Sequence, residues 1–176
     1  MRAVAGLTVL AFLTVTFVDY QFKATAAARF GADEEAMAAF FGFFHAAAGA
    51  VALLVQLLLT ARVLDRLGVG ASLSVLPVAL GGGSVLAALA PGLASASVAK
   101  GADHAFRYTV TESVSQLLYL PLAPGRRQEA KAFVDGVVRP ATIGLAGVLL
   151  AAWAPPSTAP VALGAAILAV LWLVGL

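Results

Sequence analysis

Long apolar stretches, separated by short groups of polar, glycine and proline residues, make up most of the chain. A helix needs about 20 mostly apolar residues to span the hydrocarbon core of a bilayer. Six stretches meet that requirement, at approximately 3–28, 34–64, 69–90, 93–120, 128–154 and 158–176. The pattern therefore predicts an all-α membrane protein, in which residues 1–176 form a single six-transmembrane-helix bundle.

Residues that start, stop or bend helices agree with these bounds. Asp33 is a suitable N-cap for the second stretch, and the two glutamates at 34–35 suit the positive end of the helix dipole. Pro91-Gly92 ends the third stretch, and Pro140 predicts a kink in the fifth. The glycine triplet at 81–83 indicates either flexibility or close packing of the third helix.

Composition supports lipid as the solvent for most of the chain. Hydrophobic residues make up 61% and charged residues 11%, whereas soluble domains carry roughly 25% charged residues. The formal net charge of +2 is too small to argue for a nucleic-acid partner. The absence of cysteine excludes disulfides and thiolate metal sites.

The first stretch has a second interpretation, as a cleaved signal peptide. Met1-Arg2 precedes an apolar run, and Ala24-Thr25-Ala26 is similar to a cleavage site. A single basic residue at the start, with Asp19 and Lys23 between the run and that site, fits a signal peptide poorly. A retained transmembrane helix is therefore the favoured prediction.

The distribution of lysine and arginine predicts the orientation, because cytoplasmic loops carry an excess of both. The face with the N-terminus and the second-to-third and fourth-to-fifth loops carries Arg2, Arg62, Arg66, Arg126, Arg127 and Lys131. The opposite face carries Lys23 and Arg29, beside Asp33, Glu34 and Glu35. Both termini are therefore expected in the cytoplasm.

Polar and charged residues concentrate in the fourth stretch, which contains Lys100, Asp103, His104, Arg107, Thr111, Glu112 and Gln116. Lys100, His104 and Arg107 recur at helical spacing and lie on one face. Asp103 is one turn from both cations and can neutralise either. A charge inside an apolar helix costs about 2.5–3.5 kcal/mol on insertion scales, so this face is expected to line a cavity for an anionic substrate. The alternative is a structural network of ion pairs that braces the bundle.

Other charged and polar residues allow two interpretations each. Asp19 and Lys23 are spaced to pair at the outer interface, or to cap the mouth of the same cavity. Lys131, Asp135 and Arg139 form a ladder in the fifth stretch, where a structural role is favoured because Arg139 can snorkel to the headgroups.

His45 lies among phenylalanines and alanines in the second stretch, which favours a packing role. Nucleophile elbows, P-loops, zinc spacings and dinucleotide fingerprints are absent from the sequence. We therefore expect no enzyme activity, no cofactor and no metal site.

Leu64-Asp65-Arg66-Leu67-Gly68 resembles the D-R-x-G core of the loop motif of the major facilitator superfamily. In that superfamily the motif lies between the second and third helices of each six-helix half, as it does in this chain. The resemblance implies one half of a major-facilitator-type fold, with Asp65, Arg66 and Gly68 as a gating or loop motif.

A second resemblance covers nearly the whole chain and is to the ATP/ADP translocase family, specifically its C-terminal six-helix half. The matching segments are Val18-Asp19-Tyr20-Gln21-Phe22-Lys23, Phe40-Phe41-Gly42-Phe43-Phe44, Leu57-Leu58-Leu59-Thr60-Ala61-Arg62, Arg107-Tyr108-Thr109, Leu118-Tyr119-Leu120-Pro121-Leu122 and Lys131-Ala132-Phe133-Val134-Asp135. Nucleotide exchangers of the family tend to carry Lys-Glu where this chain has Ser115 and Gln116. The resemblance is therefore closer to the less characterised bacterial relatives, which implies a bacterial inner membrane.

Three hypotheses follow. In the first, the chain is half of a secondary transporter that moves an anionic solute such as a nucleotide by alternating access. Lys100, Arg107, His104 and Lys23 would then bind the anion, with Asp19 and Asp103 as gating or charge-balancing partners.

In the second hypothesis the chain is a membrane anchor or sensor that binds a partner domain or subunit. The third is a truncated product without function. One half cannot enclose a site between two halves, so transport requires a second six-helix half or a homodimer mate. The end at Gly175-Leu176, with no basic tail, also fits a fragment of a longer protein.

Overall fold

The computed structural model describes residues 2–58, 60–107, 124–153 and 157–176, which are helical almost throughout. The helices are α1 (Arg2–Phe30), α2 (Glu34–Leu58), α3 (Thr60–Leu89), α4 (Leu93–Phe106), α5 (Pro124–Phe133), α6 (Arg139–Trp153) and α7 (Ala159–Gly175). A π-helical turn, Val134–Val138, joins α5 to α6. Within the described residues, the all-α prediction is confirmed.

Among the residues that the structure describes, four helical stretches are long and apolar enough to cross a membrane: Gly6–Phe30, Glu34–Leu58, Ala71–Leu89 and Gly125–Trp153. The other two predicted crossings correspond to α4 and α7. The described part of α4 is 14 residues long, and α7 is apolar but has 17 residues. The predicted end of the fourth helix, at residue 120, lies outside the described residues.

The first helix lies at the centre of the bundle and contacts α2, α3, α4, α6, α7 and the π turn. Its side chains are buried on several sides, including Thr14, Val18, Gln21, Phe22 and Ala26. The Thr14 hydroxyl donates to the carbonyl of Leu10 at 2.7 Å, so this buried polar group is satisfied within the helix. These buried positions agree with its contacts to helices on several sides.

The third helix packs closely against α4 and α7 through its glycines. A Cβ placed on Gly83 would lie 2.8 Å from the Ala99 Cα, and one on Gly81 would lie 3.3 Å from the Ala169 Cβ. Helix α3 continues through all three glycines. Of the two predicted roles for this triplet, the structure shows close packing, the typical use of small residues between membrane helices.

Helix α3 is interrupted at Gly68, whose φ of 72° and ψ of 177° lie outside the helical region. Only glycine adopts this region without strain. The break falls where the sequence predicts the connection between the second and third crossings, although residues 60–67 are themselves helical. The Ser72 hydroxyl donates to the Gly68 carbonyl at 2.6 Å, which satisfies an acceptor at the break.

The fifth predicted crossing runs through the π turn. Pro140 cannot donate to the ladder, and its ring crowds the preceding turn of an α-helix. The Arg139 N–H donates to the carbonyl of Val134, five residues back, which widens the helix just before the proline. The Arg139 guanidinium lies 4.7 Å above the Phe12 ring centroid, a cation–π contact that ties this crossing to α1.

Candidate functional site

Five charged side chains from α1 and α4 form a continuous chain of alternating sign. The members, in order, are Lys23, Asp19, Lys100, Asp103 and Arg107. Asp19 links the two helices, since its Oδ2 lies 2.7 Å from Lys23 Nζ and its Oδ1 lies 2.7 Å from Lys100 Nζ. Within the described part of the protein, these three cations and two carboxylates carry one excess positive charge.

The inner end of this chain is fixed by Asp103, whose side chain is fully buried. Arg107 Nε donates to Asp103 Oδ1 at 2.8 Å, and Arg107 Nη2 donates to Oδ2 of the same carboxylate. Lys100 Nζ donates to Oδ2 at 3.2 Å. A buried carboxylate held by an arginine fork and a lysine is compensated on both oxygens.

Local helix geometry explains this arrangement. Lys100, Asp103 and Arg107 are three and four residues apart and therefore share one face of α4. The contact of Gly83 with Ala99 seats α4 against α3. Lys100, the next residue, then reaches across to Asp19 on α1. Lys100 is only 7% exposed, which is tolerable for an ammonium because it has two carboxylate partners.

A cavity of about 330 Å³ adjoins the outer end of the chain of charges, between α1, α2 and α4. Its walls are formed by Asp19, Phe22, Lys23, Met37, Phe41, His45 and Lys100. The Lys23 side chain is 66% exposed and that of Asp19 is 31% exposed, so the cavity communicates with the surface on their side. Its volume is at the lower end of the range for small-molecule sites, and its mostly apolar lining with a few polar groups is typical of them.

Phenylalanine contacts build the apolar wall and hold α2 against α1. The Phe22 ring lies 5.5 Å from that of Phe41 in an edge-on arrangement and 4.5 Å from that of Phe44. Aromatic pairs at such distances add about 0.5–1.5 kcal/mol each beyond the area that they bury. The wall on the side of α2 is therefore built from aromatic side chains in contact with one another.

Two histidines, His45 and His104, are in contact beside the cavity. The His45 ring lies 5.3 Å from the His104 ring, in an edge-on arrangement that joins α2 to α4. His45 lines the cavity and also contacts Phe41 and Phe44. Among the residues that the structure describes, His, Cys, Asp and Glu form no group of three that could hold a metal ion.

The structure brings most of the predicted site residues together. Lys100, Asp103, Arg107, Asp19 and Lys23 form the chain of charges, and His104 contacts His45 beside it. Asp65, Arg66 and Gly68 are exposed and do not line the cavity. The predicted polar residues Thr111, Glu112, Ser115 and Gln116 lie outside the described residues.

Gln21 and Tyr20, which belong to the same polar segment of α1 as Asp19, do not line the cavity. Tyr20 is 38% exposed. Gln21 is buried, and its Oε1 has no hydrogen-bond partner among the residues that the structure describes.

The apolar wall of the cavity is a part of the site that the sequence pattern did not predict. Met37, Phe41 and His45 are each four residues apart, so they lie along one side of α2. That spacing puts the three side chains on one side of the helix, but it does not show whether that side faces lipid, core or cavity. Phe22, which completes the wall, is separated by three residues from Asp19 and so shares its side of α1.

No protein-family model, curated protein or solved structure matches this chain.

Proposed function

We propose that the chain is one half of a secondary transporter that binds an anionic solute in the cavity between α1, α2 and α4. The observation that carries the proposal is the placement of two lysine ammoniums, Lys23 and Lys100, on the wall of a mostly apolar cavity, where they share the single carboxylate of Asp19. Charged groups in membrane-spanning helices are costly and mark substrate pathways by default.

The electrostatics favour an anion over a cation. Counted over the residues that the structure describes, the chain of charges carries one excess positive charge. Arg107 is held by Asp103 at the buried end, whereas Lys23 is the most exposed cation and lies at the cavity. Because the surroundings are apolar, an anion at this position would be attracted more strongly than in water.

The position of the cavity agrees with a transport pathway. Asp19 is close to the middle of α1, about 16 Å along the helix axis from Phe30 at a rise of 1.5 Å per residue. Secondary transporters bind their substrates near the bilayer midplane, between two pseudo-symmetric halves. In this proposal the six predicted crossings form one half with both termini in the cytoplasm, and a second half or a second copy closes the site.

The resemblance to the ATP/ADP translocase family makes a nucleotide the first solute to test. A cavity of about 330 Å³ is small for such a ligand. A nucleotide would therefore place one charged part beside Lys23 and Lys100, and the partner half would enclose the rest. Inorganic phosphate is the matching minimal ligand.

The proposal is tested by ligand-induced stabilisation of the protein purified in detergent. The ligands are inorganic phosphate, ATP, ADP and the neutral nucleoside adenosine. Binding to the folded state alone stabilises it by about 2.7 kcal/mol when the ligand concentration is 100 times Kd. We expect saturable stabilisation by the charged ligands only, and loss of that stabilisation in Lys23→Gln.

Lys131→Gln is the matched control, because Lys131 is exposed on α5 and outside the cavity lining. It should respond to the charged ligands as the wild type does. Two results would mean that Lys23 does not select anions. One is that adenosine stabilises the protein as much as the charged ligands do. The other is that Lys23→Gln and Lys131→Gln reduce the stabilisation by charged ligands equally. No stabilisation by any ligand would remove the support for an anion transporter.

One observation favours a second candidate function, a membrane anchor or sensor that does not transport. Asp103 is fully buried and satisfied by Arg107 and Lys100, as expected for charges that brace a bundle. The two candidates differ in reconstituted vesicles. A transporter half assembled with its mate exchanges labelled phosphate across the bilayer, whereas an anchor leaves the internal label unchanged.

A further inference from the structure

The two carboxylates in the chain of charges are held very differently. Asp103 is fully buried and receives hydrogen bonds from both Nε and Nη2 of Arg107 as well as from Lys100. Asp19 is 31% exposed at the cavity, and its partners are two lysines. An arginine fork fixes a carboxylate in one geometry, whereas a lysine is a point charge on a flexible stem. Asp19 is therefore the carboxylate that can leave its partners.

Asp19 uses its oxygens in a way that a free ligand can copy. One oxygen lies 2.7 Å from Lys23 Nζ and the other lies 2.7 Å from Lys100 Nζ. A carboxylate or phosphate group in the cavity also offers at least two oxygens that can bridge two ammoniums. Both lysines line the cavity, so the ligand and the Asp19 carboxylate compete for the same two positive charges.

The remaining walls restrict the rest of the ligand. Phe22, Met37, Phe41 and His45 present aromatic and apolar surface around the two lysines. The volume of about 330 Å³ corresponds to roughly ten molecules of liquid water at about 30 Å³ each. This space suits a compact organic anion with one charged group and one apolar or aromatic body.

We propose that Asp19 is a built-in competitor for the anion site, and that a compact oxyanion binds by displacing it from Lys23 and Lys100. This inference rests on the proposed function, because it assigns the ligand class and the gate of the same cavity. Binding of the anion frees the Asp19 carboxylate, which turns toward its exposed side. Occupancy of the cavity is thereby coupled to the ion pair of Asp19 and Lys100, which joins α1 to α4.

Substitution of Asp19 is expected to increase the affinity for anions, whereas substitution of a residue that binds the ligand decreases it. Replacing Asp19 by asparagine removes the competing charge while keeping the size of the side chain. Anions should therefore bind more tightly to Asp19→Asn than to the wild type. Since hydrogen bonds between charged groups are among the stronger ones in proteins, we expect Kd to fall about tenfold.

The experiment is calorimetric titration of the detergent-purified full chain at constant ionic strength. The ligands are benzoate, inorganic phosphate and neutral benzamide, and the proteins are the wild type, Asp19→Asn and Lys100→Gln. Asp135→Asn is the matched control, because Asp135 is an exposed aspartate outside the cavity lining. Thermal unfolding of each variant establishes that it is folded, and Lys23→Gln replaces Lys100→Gln if the latter does not fold.

We expect benzoate to bind Asp19→Asn about ten times more tightly than it binds the wild type, and benzamide to bind neither. The lysine variant should lose benzoate binding, and Asp135→Asn should match the wild type. Phosphate tests whether the ligand needs an apolar body. If phosphate binds more tightly than benzoate, the displacement of Asp19 still holds, but the requirement for an apolar body is wrong.

Two other outcomes separate this inference from the proposed function. If anions bind the wild type and Asp19→Asn equally, or bind the variant more weakly, the displacement is wrong and the anion site still stands. If neither protein binds any anion, both the displacement and the proposed function are wrong.

Discussion

At the scale of single residues, the ion pair of Asp103 and Arg107 is held by several hydrogen bonds at once. Asp103 has no exposed surface, and Arg107 and Lys100 satisfy both of its oxygens. Removing one partner of such a pair leaves an uncompensated buried charge, which costs about 3–5 kcal/mol. Lys100 retains Asp19 as a second partner, which limits its share of that cost.

Asp103→Asn should lower the free energy of unfolding by about 3 kcal/mol for this reason. The measurement is reversible unfolding in mixed detergent micelles, followed by circular dichroism. Asp135→Asn is the control, and it should stay within about 0.5 kcal/mol of the wild type because Asp135 is exposed. A double-mutant cycle with Arg107→Gln gives the coupling between the two side chains. If Asp103→Asn lowers the free energy of unfolding no more than Asp135→Asn does, a structural role of the Asp103–Arg107 pair is contradicted.

At the scale of helices, the sequence predicts contacts within one helix better than contacts between helices. The spacing of Asp19 and Lys23 predicts a pair on α1, and the structure contains it. The contact of Asp19 with Lys100 depends on how α1 and α4 pack, which helical periodicity does not encode. The sequence did not predict the apolar wall at Phe41, because its position also depends on how the helices pack. A phenylalanine in an apolar helix faces lipid, core or cavity with the same local pattern.

Gly83 is the point where packing between helices is most easily tested. A Cβ there would lie 2.8 Å from the Ala99 Cα, so Gly83→Ala must move α3 away from α4. Overpacking of this kind typically costs 1–3 kcal/mol, and we expect a loss of about that size in detergent unfolding. Gly82→Ala is the matched control, because a Cβ at Gly82 meets nothing within 4 Å. It should be neutral or stabilising by up to about 1 kcal/mol, since alanine is the better helix former. Equal effects of the two substitutions would contradict the close approach of α3 to α4.

At the scale of the whole molecule, a large apolar surface remains uncovered on the outside of the bundle. On α2 the exposed apolar side chains include Phe43, Leu53, Leu54 and Leu57, and on α6 they include Leu145 and Val148. Soluble monomers rarely expose contiguous apolar patches of more than a few hundred Å². Lipid contact explains this surface, and the four helices long enough to cross a bilayer include both α2 and the α5–α6 crossing.

The orientation of these crossings is open to a direct test, because the sequence contains no cysteine and each introduced thiol is unique. Exposed positions are available at Ala32 between α1 and α2, Asp65 before the break in α3, Pro91 between α3 and α4, and Gly125 at the start of α5. Arginine and lysine accumulate beside Asp65 and Gly125, so both positions are expected in the cytoplasm. In intact cells a membrane-impermeant maleimide should label Ala32→Cys and Pro91→Cys, while Asp65→Cys and Gly125→Cys should react only after the membrane is opened. Labelling of Ala32→Cys and Asp65→Cys from the same side would show that α2 does not cross, and the midplane position assigned to the cavity would fail with it.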